Sequence, residues 1–262
     1  MNIHFKDIIL FNSLKHNTIL KLQVGSNLYN LSNSNSDTDY LYIYLESPKN
    51  LKSFQYEHHQ LQFKEDNIDH NFTSIQSFIR NILTGDSTIN FEVLFSPKFK
   101  KDFKFLYDFR YNFINYNIIK SYLGLAKRDL KLYRKSKCPK KLSHFIRGVM
   151  FADYLLNDGD LYLDNTNKFT NGISDFKILY DIKNNLLSLD IIDDYIELFE
   201  NKMNILRDIS NKKLENKEIC RVMSPNHLME LDKYIKSLSK DLVQIDYKDI
   251  YFNVLENGLS YS

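Results

Sequence analysis

Cysteine is nearly absent from this 262-residue chain, which holds two, Cys138 and Cys220. A pair so far apart in sequence builds neither a disulfide framework nor a zinc cluster, so a reducing compartment is expected. Long apolar runs are missing as well: nothing approaches the roughly 18 residues that a spanning helix needs. The start, Met1-Asn2-Ile3-His4-Phe5-Lys6-Asp7, lacks the basic-then-apolar order of a secretory signal. Membrane insertion and export are therefore not expected, and a cytoplasmic location is. Glycine (7) and proline (4) are scarce while 43% of residues are hydrophobic, a globular composition in a chain long enough to bury a core without staples.

An excess of one charge sign is also missing, with 35 Lys plus Arg against 33 Asp plus Glu. The balance is local, however. Lys120 to Arg147 holds ten basic residues and the single acid Asp129, whereas Asp181 to Glu200 holds six acids and only Lys183. A near-neutral total thus conceals a candidate anion-facing surface.

Thr18 to Val24 is rich in β-formers and stops at Gly25, which predicts a strand ending in a turn. Residues 3–16 read as a short flanking helix. Asn27 to Ser36 is almost all small or polar, and Tyr40 to Leu45 predicts a second strand halted by Pro48. Because strand side chains alternate, Asp37, Asp39, Leu41, Ile43 and Leu45 share one parity, and two carboxylates stand side by side where that strand begins. Leu61 to Phe63 predicts another strand. Phe72, Ile75, Phe78, Ile79, Ile82 and Leu83 recur at three and four, which predicts a helix ended by Gly85. After Phe91-Glu92-Val93-Leu94-Phe95 and Ser96-Pro97, helices are expected over 101–110, 112–135, 141–157, 173–184, 189–208 and 227–239. Residues 201–222 read as a polar, mobile connection. The fold class is α+β: a small mixed β-sheet with flanking helices, then a mostly α-helical lobe.

Chemistry concentrates between Val24 and Asp39. A strand delivers Gly25-Ser26, a ten-residue polar excursion follows, and Asp37-Thr38-Asp39 opens the next strand. Gly25 has no Cβ to keep its backbone from a phosphate, and Ser26 offers a hydroxyl and an N–H to phosphate oxygens. Carboxylates two apart on a strand lie on one face, where they suit hard divalent cations. Their mutual repulsion makes an empty site costly.

This arrangement resembles the DNA polymerase β-like nucleotidyltransferase superfamily, whose signature is a strand, Gly-Ser, about ten residues and Asp-x-Asp/Glu. It looks like one branch in particular, the predicted nucleotidyltransferases of phage and bacteria. Gly25, Ser26, Tyr29, Leu31, Ser36, Asp37 and Asp39 follow that branch's order, with Asn30 where Gly is common. Asp69 and Glu92-Val93-Leu94-Phe95-Ser96 resemble its later acid and its Glu-Leu-Leu-Phe-Ser element. Tyr122-Leu123-Gly124-Leu125-Ala126 and the run from Lys141 through His144 to Arg147 resemble two of its helices, and Asp158 to Leu163 resembles a strand of it. The likeness covers about the first two thirds of the chain.

The resemblance implies a catalytic nucleotidyltransferase domain over residues 1–110 and a helical, nucleotide- and acceptor-binding domain over 111–262. It implies transfer of a nucleoside monophosphate from an NTP, ATP among the candidates, to an acceptor hydroxyl with release of pyrophosphate. Asp37, Asp39 and Asp69 would be the catalytic, metal-holding acids for Mg²⁺ or Mn²⁺. Gly25, Ser26, Lys141, His144 and Arg147 would bind the nucleotide. Lys127, Arg128, Lys131 and Arg134 would meet an RNA acceptor, in a host's cytoplasm were the chain phage-borne. A protein or small-molecule hydroxyl is an alternative acceptor, and a non-catalytic nucleic-acid-binding relative is the rival class.

Plainer readings stand beside these. Glu65 and Asp66 compete with Asp69 as the third acid, and an Asp before a helix is also an ordinary N-cap. Lys141, His144 and Arg147 fit a solvated helix face equally well. His58 and His59 are adjacent, hence on opposite strand faces, and with His70 make no ligand set. Asp158-Gly159-Asp160 reads as a turn, and Tyr40, Tyr42 and Tyr44 as sheet packing.

Overall fold

In the computed structural model, which describes residues 18–29, 31–32, 36–45, 61–65, 67–163, 169–170, 173–221 and 223–238, Thr18–Val24 forms strand β1. Leu20, Leu22 and Val24 are buried while Lys21 and Gln23 are exposed, the period-2 pattern of a strand with one covered face. With β2 (Thr38–Tyr44), β3 (Leu61–Glu65) and β4 (Ile68–Ser74) it makes a four-stranded sheet of order β1-β2-β4-β3. β2 pairs with β4 in parallel and β3 with β4 antiparallel, so the sheet is mixed. Leu41 to Leu45 are all buried whatever their parity, as a strand covered on both faces requires. The tyrosines pack this sheet: Tyr42 stacks on Phe72 with ring centroids 4.3 Å apart and hydrogen-bonds His70 Nδ1 at 2.9 Å.

Phe72, expected to open a helix, lies in β4, and the helix α1 begins three residues later (Ile75–Thr84). Partners on both edges hold residues 68–74 extended, which overrides a three-and-four spacing that Phe72 satisfies only by chance. Ser74 ends the strand and caps the helix, its Oγ accepting from the Ser77 N–H at 3.2 Å. At the other end Gly85 adopts φ +75°, and a Cβ there would lie 2.7 Å from the Asn117 carbonyl oxygen. The Asp86 N–H reaches back to Asn81 O at 2.8 Å, closing the helix as a left-handed cap does.

The helices that follow are α2 (Thr88–Val93), α3 (Pro97–Asp102), α4 (Lys104–Phe109), α5 (Tyr116–Ser136) and α6 (Pro139–Asn157). Two-residue strands β5 (Phe169–Thr170) and β6 (Ile173–Ser174) precede α7 (Asp175–Lys183), α8 (Leu189–Glu215) and α9 (Pro225–Leu238). Side-chain oxygens of Ser87, Ser96 and Asn115 cap α2, α3 and α5. Lys137, left-handed at φ 54°, ends α5, and Pro139 opens α6 at a position that needs no N–H. These two helices pack through Ile119, Tyr122, Leu123 and Ala126 of α5 and Phe145, Ile146, Val149 and Phe151 of α6, all buried. Burying each of the Leu, Ile, Val and Phe side chains contributes about 1.5–3 kcal/mol. Gly148 permits the approach, since a Cβ there would meet Ala126 Cβ and Tyr122 O at 3.1 Å.

Two expectations are corrected. Residues 201–222 are no mobile connection, because α8 continues to Glu215 with Phe199, Met203, Leu206 and Ser210 buried along one stripe. The polar and charged residues around it hid that single apolar stripe. Residues 161–163 are not a strand, although Leu161 and Leu163 are buried. The expected helix over 3–16 and the residues Asn30, His58, His59 and Asp66 lie outside the described residues.

The α+β class read from the sequence holds: a mixed four-stranded sheet precedes a mostly helical remainder. The chain forms two compact units. One comprises residues 1–23, 37–78 and 225–262, the other residues 24–36 and 79–224.

Candidate functional site

In the first unit, Asp39 of β2 is the register partner of Asp69 of β4. Partners on neighbouring strands project to the same face, so these half-buried carboxylates share one side of the sheet. The aromatic stack of Tyr40, Tyr42, His70 and Phe72 takes the other. Asp37 has the parity of Asp39 and is exposed just ahead of β2. Lys64 of β3 is the antiparallel partner of Asp69 and sets its Nζ 3.5 Å from Asp69 Oδ1. Asp69 is a strand residue, and Ser74 caps the following helix, so the N-cap reading of Asp69 is removed.

The structure thus brings Asp39 and Asp69 together. Among the described residues no three His, Cys, Asp or Glu side chains gather into a metal-holding group, so Asp37 is not drawn into a cluster with them. The donor chemistry nevertheless fits a divalent ion. Carboxylate oxygens on one sheet face, attended by the Lys64 ammonium, are hard ligands that suit Mg²⁺ or Mn²⁺.

In the second unit, Gly25 to Tyr29 form a 3₁₀ turn, with Gly25 at φ +66° and the Ser26 carbonyl accepting from the Leu31 N–H at 2.9 Å. Tyr29, buried at the end of that turn, donates its hydroxyl proton to Glu92 Oε2 of α2, and Tyr122 of α5 donates to Oε1 at 3.0 Å. The Arg147 guanidinium of α6 lies 4.3 Å from the centre of the Tyr29 ring. Burial raises the pKa of Glu92, opposed by Arg147 and the two hydroxyls. Burial also lowers that of Arg147, but Tyr29, Glu92, Tyr122 and Asp129 outweigh it and the net shift is upward. Arg147 is thus a permanent cation fixed against the end of the glycine–serine turn.

A second buried carboxylate, Asp129 of α5, organises the cations around it. Arg128 approaches it at 3.3 Å, Lys141 at 3.6 Å and His144 at 3.9 Å. Burial, then Arg147, Lys141, Lys140 and Lys183, push the pKa of His144 down to about 3. Four cations prevail over one carboxylate, so His144 is a neutral imidazole near pH 7 and its contact with Asp129 is no ion pair. Lys183, at the end of α7, donates to Leu31 O at 2.7 Å and to Ser36 Oγ at 3.1 Å. Burial, with Lys140 and Arg147, lowers its pKa. Lys141, His144 and Arg147 are therefore brought together, half-buried, rather than spread over a solvated face.

Sequence reasoning missed Lys183 because it sits inside the acidic stretch and was cancelled in the charge count. It gave Glu92 no role, since neither periodicity nor charge marks a carboxylate for burial. Lys127, Arg128, Lys131 and Arg134 are exposed on α5, with Arg134 committed to Glu200 at 2.6 Å and Arg128 to Asp129.

A model of the RNA repair pathway DNA polymerase beta family, RlaP, matches residues 6–218, most of the chain. The chain belongs to that family. As a polymerase β family member it is a nucleotidyltransferase, and the family places that activity in RNA repair. A nucleotidyltransferase-like protein from Exiguobacterium sibiricum 255-15 is similar at 13% identity, over 91% of this chain and 84% of that one, with a TM-score of 0.31. No curated protein matches the chain. Among the described residues no helix of this polymerase β family chain is long and apolar enough to cross a membrane.

Proposed function

We propose that this nucleotidyltransferase moves a nucleoside monophosphate from an NTP to an RNA hydroxyl, with residues 1–110 catalytic and 111–262 binding nucleotide and acceptor. The observation that carries the reading is the Asp39–Asp69 register pair with Lys64 at its edge. The acceptor oxygen bonds to the α-phosphorus, the bond from that phosphorus to the β-phosphate oxygen breaks, and pyrophosphate leaves as the hydroxyl gives up its proton. Asp37, Asp39 and Asp69 would hold Mg²⁺ or Mn²⁺, which when bound neutralises phosphate charge and makes a hydroxyl more acidic.

The chain's own groups have distinct tasks. Asp69, whose carboxylate lies 3.5 Å from the Lys64 ammonium, would ligate the divalent ion or accept the departing proton. Gly25 and Ser26 offer backbone and hydroxyl donors to phosphate oxygens. Arg147 and Lys141 supply fixed positive charge where negative charge builds on pyrophosphate, and neutral His144 serves as a hydrogen-bond donor there. Lys127, Arg128, Lys131 and Arg134 are assigned to the acceptor.

Incubation with each α-labelled NTP, Mg²⁺ or Mn²⁺, and RNA, protein and small-molecule acceptors tests the proposal. Label should pass to RNA, with pyrophosphate released, and Asp37→Ala or Asp39→Ala should abolish both. Transfer that survives both substitutions would remove the site assignment. Label on a protein or small molecule alone would remove the RNA acceptor.

A further inference from the structure

The exposed face of α5 carries Lys120, Lys127, Lys131 and Lys135, and Gly124 completes the row at spacings of four, three, four and four. At such spacings residues stand one above another on a helix, and 15 residues span about 22 Å. All four lysines are exposed, and among the described residues no carboxylate pairs with any of them. Their cationic neighbours are engaged, Arg128 with Asp129 and Arg134 with Glu200. The one acid of α5, Asp129, is buried and turned to Arg128, Lys141 and His144. Like charges at i,i+4, as in Lys127/Lys131 and Lys131/Lys135, work against the helix. Only Lys135, in the last turn, gains from the helix dipole.

Gly124 gives an independent indication. It lies well inside a 21-residue helix, where glycine is the poorest residue after proline. Packing does not demand it: a Cβ at Gly124 would meet nothing within 4 Å, whereas one at Gly148 would meet Ala126 and Tyr122 at 3.1 Å. Gly148 is required by the helix pair, and Gly124 by nothing among the described residues. A glycine in the middle of a row of lysines leaves helix backbone open to close approach from outside. No aromatic side chain is exposed along α5, so the face offers no platform for base stacking.

We propose that this ridge holds the sugar–phosphate backbone of an RNA strand laid along α5, with Lys120, Lys127, Lys131 and Lys135 on phosphates and Gly124 as the point of closest approach. The proposal rests on the RNA reading above and narrows it. To that acceptor surface the row adds Lys120 and Lys135, while Arg128 and Arg134 also hold the carboxylates of Asp129 and Glu200. Lysines act here as point charges, so binding is independent of base sequence.

The test is fluorescence anisotropy of the full chain with a labelled 20-nucleotide RNA over a range of salt, without nucleotide. Lys127→Gln with Lys131→Gln should weaken binding by on the order of tenfold and flatten the salt dependence by about 0.7 per lysine removed. Gly124→Ala should raise the melting temperature, since the methyl has room. Gly124→Leu should keep the fold and still bind RNA several-fold less tightly, an effect that a structural role for Gly124 would not produce. An unchanged salt slope in the double lysine variant, unchanged affinity in Gly124→Leu, or tighter binding of duplex DNA or polyglutamate than of RNA would overturn the ridge. Nucleotidyl transfer measured on the same samples separates the two proposals. Transfer to RNA with no effect of the ridge variants sinks the ridge alone, and ridge-dependent binding with no transfer from any NTP sinks the catalytic reading alone.

Discussion

Asp39 and Asp69 occupy one register position of the parallel β2–β4 pair, and Lys64 stands 3.5 Å from the second of them. Like charges at partnered sheet positions repel, and the Lys64 ammonium offsets part of that repulsion. Paired like charges of this kind work against a sheet unless other groups offset them, and a conflict between local choice and fold is expected at functional positions.

Removing one of these charges separates function from stability. Asp39→Asn should raise the unfolding free energy by on the order of 1 kcal/mol while lowering transfer by several kcal/mol, about a thousandfold. Urea unfolding and pyrophosphate release on the same preparation measure both. A variant that loses stability along with activity would show that Asp39 is structural.

Glu92 should be far more sensitive to truncation than to amidation. Glu92→Ala leaves the Tyr29 and Tyr122 hydroxyls and the Arg147 cation without their shared partner, a loss of about 3–5 kcal/mol. Glu92→Gln keeps the shape and accepts at least one hydroxyl proton, so thermal unfolding should show it much closer to the parent. Equal loss in the two variants would argue against the hydrogen-bond account.

His144 makes stability pH-dependent with a defined sign. Its pKa falls from 6.5 to about 3 on folding, so between those values the unfolded chain binds the extra proton. Acidification through that window therefore lowers stability, by up to about 1.4 kcal/mol per pH unit. His144→Gln should lose less stability between pH 6.5 and pH 3.5 than the parent does in parallel denaturant titrations. Identical pH profiles would contradict a neutral, half-buried His144.

Lys183 ties the loop that precedes Asp37 through Leu31 O and Ser36 Oγ. Lys183→Met should destabilise by roughly 1–2 kcal/mol and raise the KM for NTP. Lys183→Arg should restore part of both. Steady-state kinetics with a fixed acceptor, alongside thermal melts, decide whether the tether matters for the nucleotide or only for the loop.

Much was legible before any coordinates. The run Thr18 to Val24 and the parity of Asp37, Asp39 and Leu41 gave strands and a shared face, because alternation along a strand is a local property. The three-and-four pattern found the later helices, as helical hydrogen bonds close within the segment itself. Where partners lie far off in sequence, the reading failed. Phe72 suited both periods, and only pairing with β2 and β3 settled it as a strand residue. The polar excess of residues 201–215 hid a buried stripe on a helix that packs against both α5 and α6.

Sequence by itself determined the family signature, the kind of fold and which acids and bases carry charge, since these depend on residue type and on spacing along one element. Tertiary structure alone decided which charges meet. It set Asp39 against Asp69, buried Glu92 between two tyrosines, kept His144 neutral by burial beside Arg147 and three lysines, and left the α5 lysines without carboxylate partners among the described residues. Coulomb and desolvation energies depend on distance and burial in space, and no one-dimensional pattern encodes either.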